Sequence, residues 1–229
     1  MKVIVFTPIW GRHKILDIWL EGVKRLSYEY DIQPVVMAST DEDVNWVVEN
    51  TDFNAFDPIL INVENSPLGR KQNMGLKAIS GIDWDYICQI SSDVLLAKIP
   101  DGGEDLIGFD RALFLDSESG EIVEGIRNQE SHLTVGAGRM VSRNIIDKLD
   151  YKLWSDDRNR LLDGDSQRRI LSAGATSRVI SGRYVISVKS DVQITPYGSI
   201  KSRGEVVDVD LSDYISKKEI ELINGLRHG

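Results

Sequence analysis

One cysteine, three histidines, six prolines and no long apolar run set the first limits on this chain of 229 residues. Cys88 lies inside the apolar run Tyr86-Ile87-Cys88, so an intramolecular disulfide and a zinc cluster built on thiolates are both excluded. The histidines, His13, His132 and His228, are far apart and show no ligand spacing. No apolar stretch approaches the ~20 residues that a helix needs to cross a bilayer. Met1-Lys2 runs into Val3-Ile4-Val5-Phe6, too short for a secretory signal and followed by no small-residue cleavage site, so the expected location is cytoplasmic. Acidic residues outnumber basic ones, 36 to 27. The formal net charge of −9 disfavours nucleic acid and anionic membranes as partners.

What is present fits an ordinary folded domain. Hydrophobic residues make up 41% and charged residues 28%, and the length suits a single α/β domain with a C-terminal extension. Val3 to Phe6 is a continuous apolar run stopped at Thr7-Pro8, the pattern of a central parallel strand buried on both faces. His13 to Ser27 carries Ile15, Leu16, Trp19, Leu20, Val23 and Leu26 at helical spacing. The unit recurs: a strand over Pro34 to Ala38, a helix capped by Thr40, a strand over Pro58 to Val63, a helix from Leu68, and a strand over Asp85 to Ser91. Such alternation predicts a doubly wound, mostly parallel sheet flanked by helices, with ligands beyond the carboxyl ends of the strands. The second half reads as less regular. It holds a hairpin around residues 117–120, helices near Ser142 and Asp163, and a late helix with a Ser216/Glu219 capping box.

Two segments carry the chemistry. From Ser66 to Ile82 there is no acidic residue, while Arg70, Lys71 and Lys77 are basic, a local reversal of the overall sign. A helix opening there offers backbone N–H groups, two adjacent cations and Asn73 to a diphosphate. The strand that follows ends in Ser91-Ser92-Asp93, and one carboxylate among hydroxyls suits a hard cation such as Mg²⁺ or Mn²⁺.

The order Thr7-Pro8, then Gly69-Arg70-Lys71-Gln72-Asn73-Met74-Gly75-Leu76, then Asp85-Tyr86-Ile87 running into Ser91-Ser92-Asp93 resembles the nucleotide-binding half of GT-A glycosyltransferases, particularly the family 2-like group. The resemblance implies a Rossmann-like GT-A fold. It divides into a nucleotide-sugar half (1–98), an acceptor half (99–200) and an extension (201–229). It implies transfer from a nucleotide-sugar donor, a UDP-sugar first, to a glycan or other hydroxyl acceptor, assisted by Mn²⁺ or Mg²⁺. Thr7, Pro8, Trp10, Arg12, Arg70, Lys71, Asn73, Ser91 and Ser92 fall where such enzymes hold the donor. Ser91 replaces the first Asp of the Asp-x-Asp motif and leaves Asp93 as the matching metal ligand, with Asp191 a second candidate. Asp163, ahead of Asp165, falls where inverting members carry a general base; the alternative for Asp163 is a helix cap. Asp41 and Asp43 are further candidates near the base or ribose. Two other readings stand beside this one. A sugar-1-phosphate nucleotidyltransferase would have a Gly-rich signature after the first strand, which Thr7 to Arg12 lacks. A donor-binding module without catalysis would explain the missing Asp.

Overall fold

The computed structural model describes residues 1–51, 57–126, 134–189 and 197–226. His132, Asp191 and His228 lie outside them.

The chain begins β1 (Val3–Pro8), α1 (His13–Ser27), β2 (Ile32–Ala38), α2 (Asp41–Asn50), β3 (Ile59–Asn62), α3 (Leu68–Ala78) and β4 (Tyr86–Gln89). It continues with β5 (Val94–Leu96), β6 (Leu106–Phe109), β7 (Arg111–Asp116), β8 (Ile122–Ile126), β9 (Met140–Ser142), α4 (Arg143–Lys148) and α5 (Leu162–Ser172). The last elements are β10 (Ser177–Ile180), β11 (Val185–Lys189), α6 (Tyr197–Lys201), β12 (Glu205–Val206) and α7 (Lys217–Leu226).

Seven strands form the larger sheet in the order β10-β6-β9-β4-β1-β2-β3. It is parallel apart from β9, which runs antiparallel to both β4 and β6. The expected strand at Pro34 starts two residues earlier. Proline is tolerated because β3 pairs with β2 only from Val35 onward. Alternation along β1 divides the core: Val3 and Val5 pack with Leu16, Trp19 and Val36 on one face, and Ile4 and Phe6 with Val35, Met37, Leu76 and Trp154 on the other. The strand is apolar throughout because both faces are covered.

The less regular second half contains a second sheet, β12-β8-β7-β11-β5, in which the expected hairpin is β7-β8 with Phe114 opposite Val123. The sheets do not divide at residue 98. The later strands β6, β9 and β10 complete the first sheet, while β5 belongs to the second. A third apolar cluster, including Ile18, Leu95, Leu113, Ile186 and Ile223, joins α1 and α7 to the second sheet.

Helix ends follow the local sequence. Thr40 accepts from Asp43 N at 3.1 Å, and Ser216 and Glu219 exchange both bonds of their capping box. Glu219 does more than cap. It is fully buried and takes Arg25 Nε of α1 at 2.8 Å, while the same guanidinium donates to the carbonyls of Leu96 and Ala97. This ties α7 to α1 and to the end of β5. Glu219→Ala is expected to lower unfolding free energy by about 3 kcal/mol in urea titrations, because Arg25 loses its charge partner in a largely desolvated place. A loss no larger than that of an exposed-residue substitution would show that α7 is held by its apolar face alone.

Candidate functional site

The carboxyl ends of β1 and β4 open into a cleft of about 480 Å³. Phe6, Pro8, Gln89 and Ser91 form one wall, and Phe114, Val185, Ser187 and Lys189 of the second sheet face them. Gly136 and Asp163 close one side, and Arg203 and Gly204 reach in from the C-terminal segment. Two lining side chains, Gln72 and Gln89, each hold a buried polar atom with no partner among the described residues, as does Thr7 beside them. Such atoms require a partner from water or a ligand.

Asp93 lies in this cleft, next to Lys189. Its Oδ2 accepts from Lys189 Nζ at 2.8 Å and from Ser187 Oγ at 3.4 Å, and both members of the ion pair are 11% exposed. Backbone pairing brings them together: β5 and β11 are antiparallel, and Val188 N donates to Asp93 O at 2.8 Å. Burial pushes the Asp93 carboxyl up, but the Lys189 ammonium, with Arg12 nearby, more than offsets this and holds it below the usual carboxylate range. Arg12 sits behind, donating to Ser92 Oγ at 3.0 Å.

A divalent cation fits this arrangement poorly. Asp93 is already paired, Ser91 offers only a hydroxyl in place of a second acid, and Asp163, the other described carboxylate lining the cleft, is set apart against Gly136. Among the described residues no three His, Cys, Asp or Glu side chains are placed to share a metal.

Asp163 and Asp165 separate cleanly. Asp163 is exposed, lines the cleft and has no hydrogen bond or ion pair from its carboxylate among the described residues. It does not cap α5, whose N-cap is Leu161, in the left-handed region at φ 61°. Gly136 makes room for it: a Cβ there would come within 2.0 Å of the Asp163 carboxyl carbon. Asp165 instead accepts from Ser155 N and Oγ and faces Arg169 and Arg158. These bonds hold its pKa below the ordinary carboxylate value.

The start of α3 is covered by the segment at residues 154–159. Leu68 N donates to Asn159 Oδ1 and Gly69 N to Arg158 O, and a Cβ on Gly69 would meet Ser155 O at 2.0 Å. Asn73 is spent on Trp154 and Asp156. Lys71 is buried, and its three N–H donors go to Ile9 O, Ser39 Oγ and Asn65 Oδ1. Arg70 points to solvent away from the cleft lining. At the expected diphosphate grip, protein therefore already takes the N–H groups of Leu68 and Gly69, the Lys71 ammonium and the Asn73 amide, while Arg70 is exposed. Lys71 holds the loops after β1 and β2 in place. Beside it, Asp43 accepts from Gly11 N at 2.7 Å and from His13, which fixes the turn that exposes Trp10 to 62%.

Sequence reasoning passed over Lys189 and Arg203. A charged residue closing the buried run Val185 to Val188 is the signal for the first; the second is marked only by its place before Gly204.

No protein-family model matches the sequence, and no curated protein matches it closely. Solved structures do. S. aureus TarS 1–349 with UDP-GlcNAc superposes over 99% of this chain and 66% of its own, at 14% identity and a TM-score of 0.65. The same TarS fragment alone covers 82% of this chain and 60% of its own at 0.57, again with 14% identity. The mannosyltransferase PcManGT of Pyrobaculum calidifontis, solved with GDP-Man and Mn²⁺, covers 82% and 56% at 15% identity and 0.52. The chain has the GT-A fold. It spans about two thirds or less of the length of these proteins. In GT-A terms the Ser91-Ser92-Asp93 turn lies at the end of β4, where the cleft opens.

Burial pushes the Lys71 ammonium from 10.5 down to about 8, against the opposing pull of Asp43. The native state thus releases this proton before the unfolded chain does, so its contribution to stability rises as pH climbs from 8 toward 10.5. Lys71→Met is expected to remove that rise and to lower stability at neutral pH by about 1–3 kcal/mol through three unpaired acceptors. Urea titrations at a series of pH values check both; a variant with the wild-type midpoint and slope would show that the clamp contributes nothing.

Proposed function

We propose that the chain is a glycosyltransferase that moves a sugar from a nucleoside-diphosphate sugar, a UDP-sugar first, to a hydroxyl of a glycan or other acceptor. The observation that carries this reading is that one cleft holds both cations and, apart from them, an unengaged carboxylate. Lys189 and Arg203 line it, with Arg12 behind, and Asp163 stands free on another side. The fold shared with proteins solved with UDP-GlcNAc and GDP-Man makes a nucleotide sugar the first ligand to try.

In this reading the diphosphate lies against the cations, with the base toward Thr7, Pro8 and the exposed Trp10. The acceptor oxygen attacks the anomeric carbon, and its proton passes to Asp163. The bond from that carbon to the diphosphate oxygen breaks, and the electron pair leaves with the nucleoside diphosphate. Asp163 is the base, since Asp165 is held by Ser155 and two arginines. Ser91 lines the cleft and Ser92 carries Arg12. For the Mn²⁺ or Mg²⁺ expected from the resemblance, the described carboxylates lining the cleft are Asp93, already paired with Lys189, and Asp163, which takes the proton in this reading. Asp191 stays a candidate ligand that no observation supports.

Thermal shift against a panel of nucleoside diphosphates and nucleotide sugars tests the donor site, because a ligand of the native state raises the melting temperature. Asp163→Asn is expected to lower turnover by about 10²–10⁴-fold while leaving nucleotide affinity unchanged. Equal loss of affinity would move Asp163 from base to donor contact. Binding without transfer or hydrolysis would identify a donor-binding module.

A further inference from the structure

We propose that Lys189 takes the place of a divalent cation at the donor diphosphate, so that donor binding and leaving-group neutralisation in this protein need no metal. The inference rests on the donor-site reading above and concerns how that site carries its charge.

Three observations point to it. The carboxylate that would hold a metal, Asp93, is occupied by the ammonium at 2.8 Å, which places a positive charge where the cation would sit. That ammonium is fixed: it is 11% exposed, carried on the last residue of a paired strand, and lies 5.8 Å from the centre of the Phe114 ring. One of its N–H groups serves Asp93, and the other two have no acceptor among the described residues, although Lys189 lines the cleft. A lysine held this way presents a point charge and two donors to phosphate oxygens without rearranging. Arg203 lines the same cleft, held by Ser199 through bonds of 3.0 Å to its carbonyl and 2.5 Å to its hydroxyl. Asp93 is thus a positioning residue: it orients Lys189 and does not touch the nucleotide. When the sugar–oxygen bond breaks, the electron pair stays on the diphosphate, and Lys189 stabilises that charge by hydrogen bonds while keeping its own proton.

The test is calorimetric titration of UDP, GDP and their sugar conjugates into the full chain, in EDTA and in excess Mn²⁺. Equal affinity in the two conditions is expected for the wild type; binding that appears only with Mn²⁺ would overturn the proposal while leaving the donor reading intact. No binding of any nucleotide in either condition would overturn both. Lys189→Met is expected to weaken binding in EDTA by roughly ten- to a hundredfold, with part of the loss recovered in Mn²⁺ because Asp93 is then free to hold it. Lys189→Arg should restore EDTA binding toward the wild-type value. Wild-type affinity in a folded Lys189→Met would overturn the role of Lys189. Asp93→Asn takes away the group that orients Lys189, so it should weaken binding in EDTA, and Mn²⁺ should not recover the loss because no carboxylate remains there to hold it; wild-type affinity in a folded Asp93→Asn would overturn the positioning role of Asp93.

Discussion

Asp93 and Lys189 meet at the seam where the second sheet faces the cleft, and each is desolvated enough that neither is stable without the other. Removing one member of such a pair typically costs about 3–5 kcal/mol, because the remaining charge has lost its water. The backbone makes the meeting unavoidable. Asp93 directly precedes β5 and Lys189 closes β11, which are antiparallel neighbours. A cation competing for Asp93 must displace an ammonium, and an anion approaching Lys189 meets a donor already aimed by a carboxylate. The electrostatics of the cleft follow from this contact.

The rest of the cleft is arranged around the same division of charge. Arg12 stands behind Ser92, Arg203 enters from the C-terminal segment, and Asp163, whose carboxylate has no partner among the described residues, is set apart against Gly136. In a chain of net charge −9, this gathering of cations is local. It is the feature a diphosphate would select.

The start of α3 shows how a favourable local pattern is put to another use. Helix N-termini attract anions, and the basic run at Arg70 and Lys71 strengthens the expectation. Here the chain at 154–159 takes the N–H groups of Leu68 and Gly69 itself, with Gly69 admitting its backbone. Lys71 turns inward and fixes the loops after β1 and β2; the first carries the Trp10 turn, and the second leads into α2, whose Asp43 accepts from Gly11 N. Of the cations in this segment it is Lys71 that supports the loops bordering the cleft, while Arg70 and Lys77 are exposed.

Much of the fold was legible in local pattern. Val3 to Phe6 read as a doubly buried strand, the α1 stripe as a helix, Thr40 and Ser216/Glu219 as caps, and the alternation as a parallel sheet, because periodicity and capping depend on neighbours a few residues apart. The strands β6, β9 and β10 were not: they fall outside the strand–helix alternation of the first half, and β9 joins β4 to β6 by antiparallel pairings across long stretches of chain that no local pattern records. The sequence alone therefore determined the class of fold, and it singled out the strand ends where the cleft opens and two acids, Asp93 and Asp163, that line it. Only the tertiary structure decided which partners those acids meet. Asp93 and Lys189 lie 96 residues apart, and the pairing of β5 with β11 that joins them is a long-range event. Asp163 and Asp165 are two residues apart with similar sequence surroundings. They differ because Ser155, Arg158 and Arg169 fold onto one and leave the other facing the cleft.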